Sequence, residues 1–360
     1  MKNDNISINR AVGPTEAKNA LRKCIKIQRP VFLWGPPGIG KSDIVKQIGD
    51  EQEREVIDVR LSLWEPTDIK GIPYYNSQVN SMSWAPPIEL PSDPESTAIL
   101  FLDELNSAAP ATQAAAYQLI LNRRVGTYTL PKRVAIVAAG NREADKGVTY
   151  RMPSPLANRF VHIELQTQFD DWFDWATRNR IHEQVVGYLS YSKNDLYDFD
   201  PRSSSRSFAT PRSWSFVSQL LQEDDISEGT LSDLVAGAVG EGVAVKFMAH
   251  RKIASQLPNP TDCLLGKIKK CDITEISAQY SLAVSMCYEL KEFHNKNAKN
   301  FNDMANNFFG FIMDNFPTEL VVTSVKLAMS TYDLPFDSGT LKNFDRFHES
   351  YGRLIVQAHG

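Results

Sequence analysis

Continuous apolar runs, separated by helical segments, dominate the first 165 residues. "RPVFLW" (Arg29 to Trp34) is a short run that stops at Gly35, and "TAILFLDE" (Thr97 to Glu104) is apolar until its two terminal carboxylates. "RVAIVAAGN" ends at Asn141, "REVIDVRLSLW" reads as a second strand in chain order, and "RFVHIEL" reads as a fifth. Such runs do not alternate, so they predict strands covered on both faces, as in a parallel sheet flanked by helices. Between them, "SDIVKQIGDEQ" places Ile44, Val45 and Ile48 on one helical face. "APATQAAAYQLILNRR" predicts another helix, with Asn106 and Ser107 as its N-cap candidates.

After about Gln166 the pattern changes. "DDWFDWATRNRIHEQVVGYLSY", "SWSFVSQLLQ", "LSDLVAGAVGEGVAVKFMAHRKIA" and "EISAQYSLAVSMCYELKEFHNK" carry helical periodicity and no strand runs. "PRSSSRSFATPR" (Pro201 to Arg212) reads as an exposed loop. The predicted organisation is an α/β domain at 1–165, a helical lid at 166–257 and a helical extension at 258–360.

Composition narrows the class. Hydrophobic residues make up 42% of 360, enough for a real core. With 39 basic against 43 acidic residues, the net charge is −4, which argues against a protein that holds nucleic acid by counterion release. Cys24, Cys263, Cys271 and Cys287 lack zinc-ligand spacing and read as reduced thiols. "MKNDNISINR" has no apolar core, and no run approaches the length of a membrane helix. The expectation is a soluble, cytoplasmic protein.

The chemistry begins at "FLWGPPGIGKSDIV". Gly35, Pro36, Pro37, Gly38, Ile39, Gly40, Lys41 and Ser42 fit the G-x-x-x-x-G-K-[ST] pattern between a strand and a helix, with Asp43 following. Glycines let main-chain N–H groups turn inward onto phosphate, and the following helix adds its N-terminal dipole. Lys41 would reach the β- and γ-phosphates of ATP, and Ser42 would ligate Mg²⁺. Asp103 and Glu104 end a buried strand, at the edge where parallel sheets hold ligands. Asp103 suits the Mg²⁺ shell, and Glu104 suits a base that activates water. Asn141 ends a strand at the same edge, where its amide would orient that water.

The order of these motifs resembles the AAA+ ATPases, and more narrowly their MoxR branch, which includes activators of nitric-oxide reductase and Rubisco. "RLSLWEPTDIKGIPYY", "WAPPIELPSD", "LFLDELNSAAPATQAAAYQLILNRRVGTYTLP", "AAGNREADKGVTYRMPSPLANRFVHIEL" and "ATPRSWSFVSQLL" carry the narrower likeness. The resemblance spans about Val12 to Glu223. It implies a P-loop NTPase core whose five-stranded parallel sheet has the order 5-1-4-3-2, the phosphate-loop strand being the first. It also implies a ring, usually a hexamer, with nucleotide between neighbours. Arg159, in "PSPLANRF", matches the arginine finger given to the next subunit, and Arg151 is a second candidate. Arg212, in "TPRSW", matches sensor 2, and Asn141 matches sensor 1. A lone arginine is also commonly a solvated surface charge, a reading that stays open for Arg159 and for Arg212 at its helix start, while for Arg151 the open alternative is pairing with a neighbouring carboxylate.

In MoxR-type proteins a segment inserted after the second strand faces the client. Here it is Glu65 to Leu90, where Tyr74, Tyr75 and Trp84 either grip a partner or pack within the insertion. The family's usual clients carry a von Willebrand factor A domain. The implied function is an ATP-hydrolysing remodeller of a protein partner. Its rivals are a nucleic-acid-directed motor and an ATP-gated scaffold with negligible turnover.

Overall fold

The computed structural model describes residues 11–357 except 146–148, 224, 255 and 338, and no side chains of residues 352–357. The polar N-terminal stretch "MKNDNISINR" lies outside the described residues, as does "KGV" of the MoxR-like motif. Two compact units divide the chain. One runs to Asp171 and includes Asp200–Ser203; the other comprises Trp172–Phe199 and Ser204–Gly360.

The first unit is built on one sheet. Its strands are β1 (Ala11–Val12), β2 (Val31–Trp34), β3 (Val56–Arg60), β6 (Ile99–Asp103), β9 (Ala135–Gly140) and β10 (Val161–Leu165), in the order β1-β10-β2-β9-β6-β3. All five pairings are parallel. The five strands from β10 to β3 follow the expected 5-1-4-3-2 order, and the sheet has six strands, not five. The sixth, Ala11–Val12, is two residues long, too short for any periodic signal; it pairs with Glu164 and Leu165. Every residue of β6 and β9 is buried, which is why both runs are apolar throughout.

Helices α1 (Pro14–Lys26), α2 (Lys41–Glu51) and α4 (Pro110–Asn122) belong to this unit. Ile44, Val45 and Ile48 of α2 are buried, as its periodicity requires. Two local expectations differ. The run "REVIDVRLSLW" is a strand only to Arg60; Leu61–Leu63 form a 3-10 turn that buries Leu61 and exposes Leu63. Helix α4 begins after Ala109, with no side-chain cap, because Leu105–Ser107 form a separate 3-10 turn and Asn106 is buried there. Proline at the first position of α4 needs no N–H partner, so a capping side chain is less necessary.

The insertion forms a short helix, α3 (Pro66–Lys70), and an antiparallel hairpin of β4 (Ile72–Asn76) and β5 (Ser81–Ala85). Tyr74 and Tyr75 are exposed on it. Trp84 is half-buried: its main-chain oxygen accepts from the Thr127 hydroxyl at 2.6 Å, near the hairpin of β7 (Arg124–Val125) and β8 (Tyr128–Thr129). Helix α5 (Ser154–Ala157) leads into β10.

The second unit is helical among its described residues. The division between units falls within α6 (Phe169–Arg178). After it come α7 (Glu183–Tyr191), α8 (Pro211–Leu220), α9 (Glu228–Val239), α10 (Glu241–Ala254), α11 (Pro260–Leu264), α12 (Ile276–Asn295), α13 (Phe301–Asn315), α14 (Thr318–Lys326) and α15 (Lys342–Gln357). Gly240, at φ 90°, breaks α9 from α10. Trp214, Tyr188 and Phe247 form one aromatic centre; the Trp214 and Phe247 rings lie 5.4 Å apart. Gly187 lets α7 approach α12, because a Cβ there would lie 2.1 Å from the Ser281 hydroxyl. His250 of α10 meets the same hydroxyl at 2.9 Å. No helix among the described residues is long and apolar enough to cross a membrane.

Candidate nucleotide-binding site

Parallel strands deliver their carboxyl ends to one edge, and the register decides which residues arrive together. Trp34 pairs with Gly140 on one side and Glu164 on the other, while Leu102 pairs with Ala138. The Gly35 loop, the Asp103–Glu104 turn and Asn141 therefore start from neighbouring strand ends, as the sequence implied. The loop from Gly35 to Gly40 needs glycine in two places, since Gly38 and Gly40 have φ of 77° and 92°. Gly40 then caps α2, whose first amides have no intrahelical acceptor.

Lys41 holds the loop shut. Its ammonium donates to the carbonyls of Gly35 at 2.7 Å and Pro36 at 3.0 Å, and to Asn141 Oδ1 at 3.0 Å. Ser42 Oγ donates to Asp103 Oδ2 at 2.9 Å, and Asp103 Oδ1 accepts from the Glu104 N–H at 2.9 Å. Lys41, Ser42, Asp103 and Asn141 thus form one constellation from three stretches that together span a hundred residues of chain. Glu104 follows Asp103 with φ 55°, a left-handed turn that swings its side chain off the strand line.

The site also holds groups that sequence reasoning missed. Ser62, in the 3-10 turn after β3, donates its hydroxyl to Glu104 Oε2. Asn106 is buried, and its Nδ2 donates to the Asn141 carbonyl at 2.8 Å. Gly140 lies against it: a Cβ at that position would fall 2.0 Å from Asn106 Oδ1. Asp58 of β3 adds a third carboxylate. Although Asp58 keeps surface exposure, partial desolvation by the surrounding protein, and then the charge of Asp103, push its carboxyl above the usual range, against the pull of Lys46 and Arg60. The sequence offered no signal for Ser62, which lay inside the predicted strand "REVIDVRLSLW".

The hydrogen bonds just described do not include the other candidates. Asp43 is exposed in the first turn of α2. Arg159 and Arg151 are exposed on the segment leading into β10, and neither forms an ion pair with a described residue. Arg212 is exposed in the first turn of α8, in the helical unit, where Thr210 and Ser213 form a capping box.

The donor set suits a particular ligand. One hydroxyl and one carboxylate are hard oxygen donors of the kind Mg²⁺ accepts, which fits Ser42 and Asp103. A lysine folded onto bare carbonyls, beside a glycine loop and a helix N-terminus, fits an anionic phosphate chain. Fold and site together define a P-loop nucleotide-binding unit. Within it, residues 30–162 match the model of the ATPase family associated with various cellular activities (AAA).

Individual proteins resemble it more distantly. Over 188 residues, 49% of this chain, it is 28% identical to midasin of Giardia intestinalis, and it spans 4% of that protein's length. Among solved structures, a putative ATPase of Cytophaga hutchinsonii covers 97% of this chain and is itself covered to 89%, at 13% identity and a TM-score of 0.35. The Thermotoga maritima RuvB Holliday junction branch migration motor covers 67%, is covered to 74%, and shows 19% identity and a TM-score of 0.36. At TM-scores this low, neither structure informs the functional reading.

Proposed function

We propose that this chain is a MoxR-type AAA+ ATPase that hydrolyses ATP within a ring and uses the turnover to remodel or activate a protein partner. The observation that carries the reading is the joined pair of contacts, Lys41 to Asn141 and Ser42 to Asp103. These are the contacts expected of residues that share one triphosphate.

In this reading the main chain of Gly35–Gly40 and the first turn of α2 bind the phosphates, and Lys41 exchanges its carbonyl partners for phosphate oxygens. Ser42 and Asp103 would hold Mg²⁺, which supplies charge neutralisation on the phosphoryl oxygens when bound. Glu104 accepts the proton of the attacking water, for which its bond from Ser62 has to open. Asn141 orients that water. Arg159 is supplied to the neighbouring subunit's site, where a planar, permanent cation stabilises spread phosphoryl charge. Its exposure, without an ion pair to any described residue, supports that role. Arg212 serves as the second sensor. The exposed Tyr74 and Tyr75 of the insertion are the contact proposed for a protein client, a von Willebrand factor A domain protein being the family's usual one. A hexamer is the assembly that the family resemblance implies, and the cytoplasm is its proposed location.

Glu104→Gln tests the reading. It should bind Mg·ATP like the wild type while phosphate release falls by about 100-fold or more, the usual contribution of a general base. Wild-type turnover in that variant would remove Glu104 from the mechanism.

A further inference from the structure

The residue after Asn141 makes a connection that nothing in the proposed chemistry uses. Arg142 Nη1 donates to Glu164 Oε1 at 2.9 Å, and its Nη2 donates to Asp145 Oδ1 at 2.9 Å. The Arg142 N–H also donates to Asp145 Oδ2 at 2.9 Å, and Asp145 N–H returns a bond to the Arg142 carbonyl at 3.0 Å. Arg142 follows β9 and Glu164 lies on β10, but these strands are not neighbours: β2 runs between them. Strands two apart are separated by roughly 9–10 Å. Glu164, Trp34 and Gly140 share one row of the sheet. The guanidinium therefore crosses the carboxyl end of β2, above the point where Gly35 opens the phosphate loop.

The geometry points to Arg142, Asp145 and Glu164 as positioning residues that strap the Asn141 turn across the phosphate-loop strand and so hold Asn141 Oδ1 on Lys41. This rests on the reading of Asn141 as the residue that orients water. On its other side Asn141 is already fixed, by the Asn106 amide on its carbonyl and by Gly140, whose carbonyl accepts from the Gly35 N–H at 3.3 Å. Arg142 supplies the remaining anchor. A role in folding alone does not account for the Glu164 arm, because the Arg142 side chain is 40% exposed and an ion pair so placed adds little to stability. The fork matters as well as the charge: one guanidinium addresses two carboxylates on different elements, which an ammonium on a flexible stem does not reproduce.

The test uses the full chain, with Arg142→Lys, Glu164→Gln, Asn141→Ala and the double variant Arg142→Lys/Asn141→Ala. Truncation to alanine at 142 is avoided, because it would leave the Asp145 carboxylate, 5% exposed, without its partner. Arg142→Lys should lower kcat about tenfold while KM for Mg·ATP moves less than about threefold, which marks an interaction made in the transition state. Glu164→Gln, which keeps the Asp145 pair, should lower kcat about threefold. In the Asn141→Ala background, Arg142→Lys should cost nothing further, since its effect runs through Asn141. The side-chain amide resonance of Asn141, assigned by its loss in Asn141→Ala, should shift in Arg142→Lys without nucleotide present. Unchanged kcat, full additivity in the double variant, or parallel losses of thermal stability and affinity would each overturn the strap. If the wild type releases no phosphate, the ATPase reading fails, and the amide resonance by itself decides the strap.

Discussion

Replacing Gly140 by alanine would place a methyl group where the structure has no room for one. The new Cβ would fall 2.0 Å from Asn106 Oδ1, 2.8 Å from its Cγ and 2.9 Å from Phe32 Cζ. Phe32 is fully buried in the core and Asn106 has almost no surface, so neither can swing into solvent. Overpacking of this kind costs about 1–3 kcal/mol. Displacing Asn106 also breaks its bond to the Asn141 carbonyl, worth about 1 kcal/mol. The sum, about 2–4 kcal/mol, corresponds to a Tm roughly 4–16 °C lower for a unit of this size. Calorimetric unfolding measures it. The companion variant makes the reasoning specific: in the Gly140→Ala background, Asn106→Ala removes two of the three clashes and should raise stability, whereas alone it should lower it. A Gly140→Ala protein that melts with the wild type would refute the packing argument. So would an Asn106→Ala change that destabilises both backgrounds equally.

Three further outcomes follow from other parts of the molecule. An Arg159→Ala protein should lose most phosphate release; mixed with Glu104→Gln subunits it should regain part of it, because each variant supplies what the other lacks, and a mixture no more active than its parts would remove the trans role. Tyr74→Ala with Tyr75→Ala should leave basal turnover within about twofold and abolish stimulation by a client, since both side chains are exposed and outside the nucleotide cluster. Burial drives the imidazole of His250 down to about 4, so the folded helical unit keeps it neutral while the unfolded chain takes up a proton from about pH 6.5 downward. Stability should therefore be full above pH 6.5 and fall by up to about 3 kcal/mol as pH drops toward 4, and His250→Gln should flatten that dependence in urea unfolding at several pH values.

What could be read from the sequence divides along physical lines. The phosphate loop was legible because its chemistry is local: two left-handed glycines, a lysine and a hydroxyl within a few positions. The buried strands were legible because burial on both faces leaves only apolar choices. Their order came from the family resemblance, since periodicity says nothing about which strand lies beside which. Ser62, Asn106 and the Arg142–Glu164 pair were not legible, because their roles arise from register and from strands far apart in the chain. The Asn106 and Ser107 caps were misplaced for a related reason. Asn106 is drawn into the sheet edge to serve Asn141, and the helix starts four residues later at a proline.

The central claim is that residues 35–42 and Asp103 bind the triphosphate of ATP with Mg²⁺. Calorimetric titration of Mg·ATP into the wild type, Lys41→Met and Ser42→Ala tests it most directly. Loss of a charge-assisted bond of about 2–3 kcal/mol should weaken Lys41→Met by roughly 30- to 150-fold. Ser42→Ala should lose affinity chiefly when Mg²⁺ is present. Equal affinity in all three proteins, or no binding to the wild type, would contradict the account.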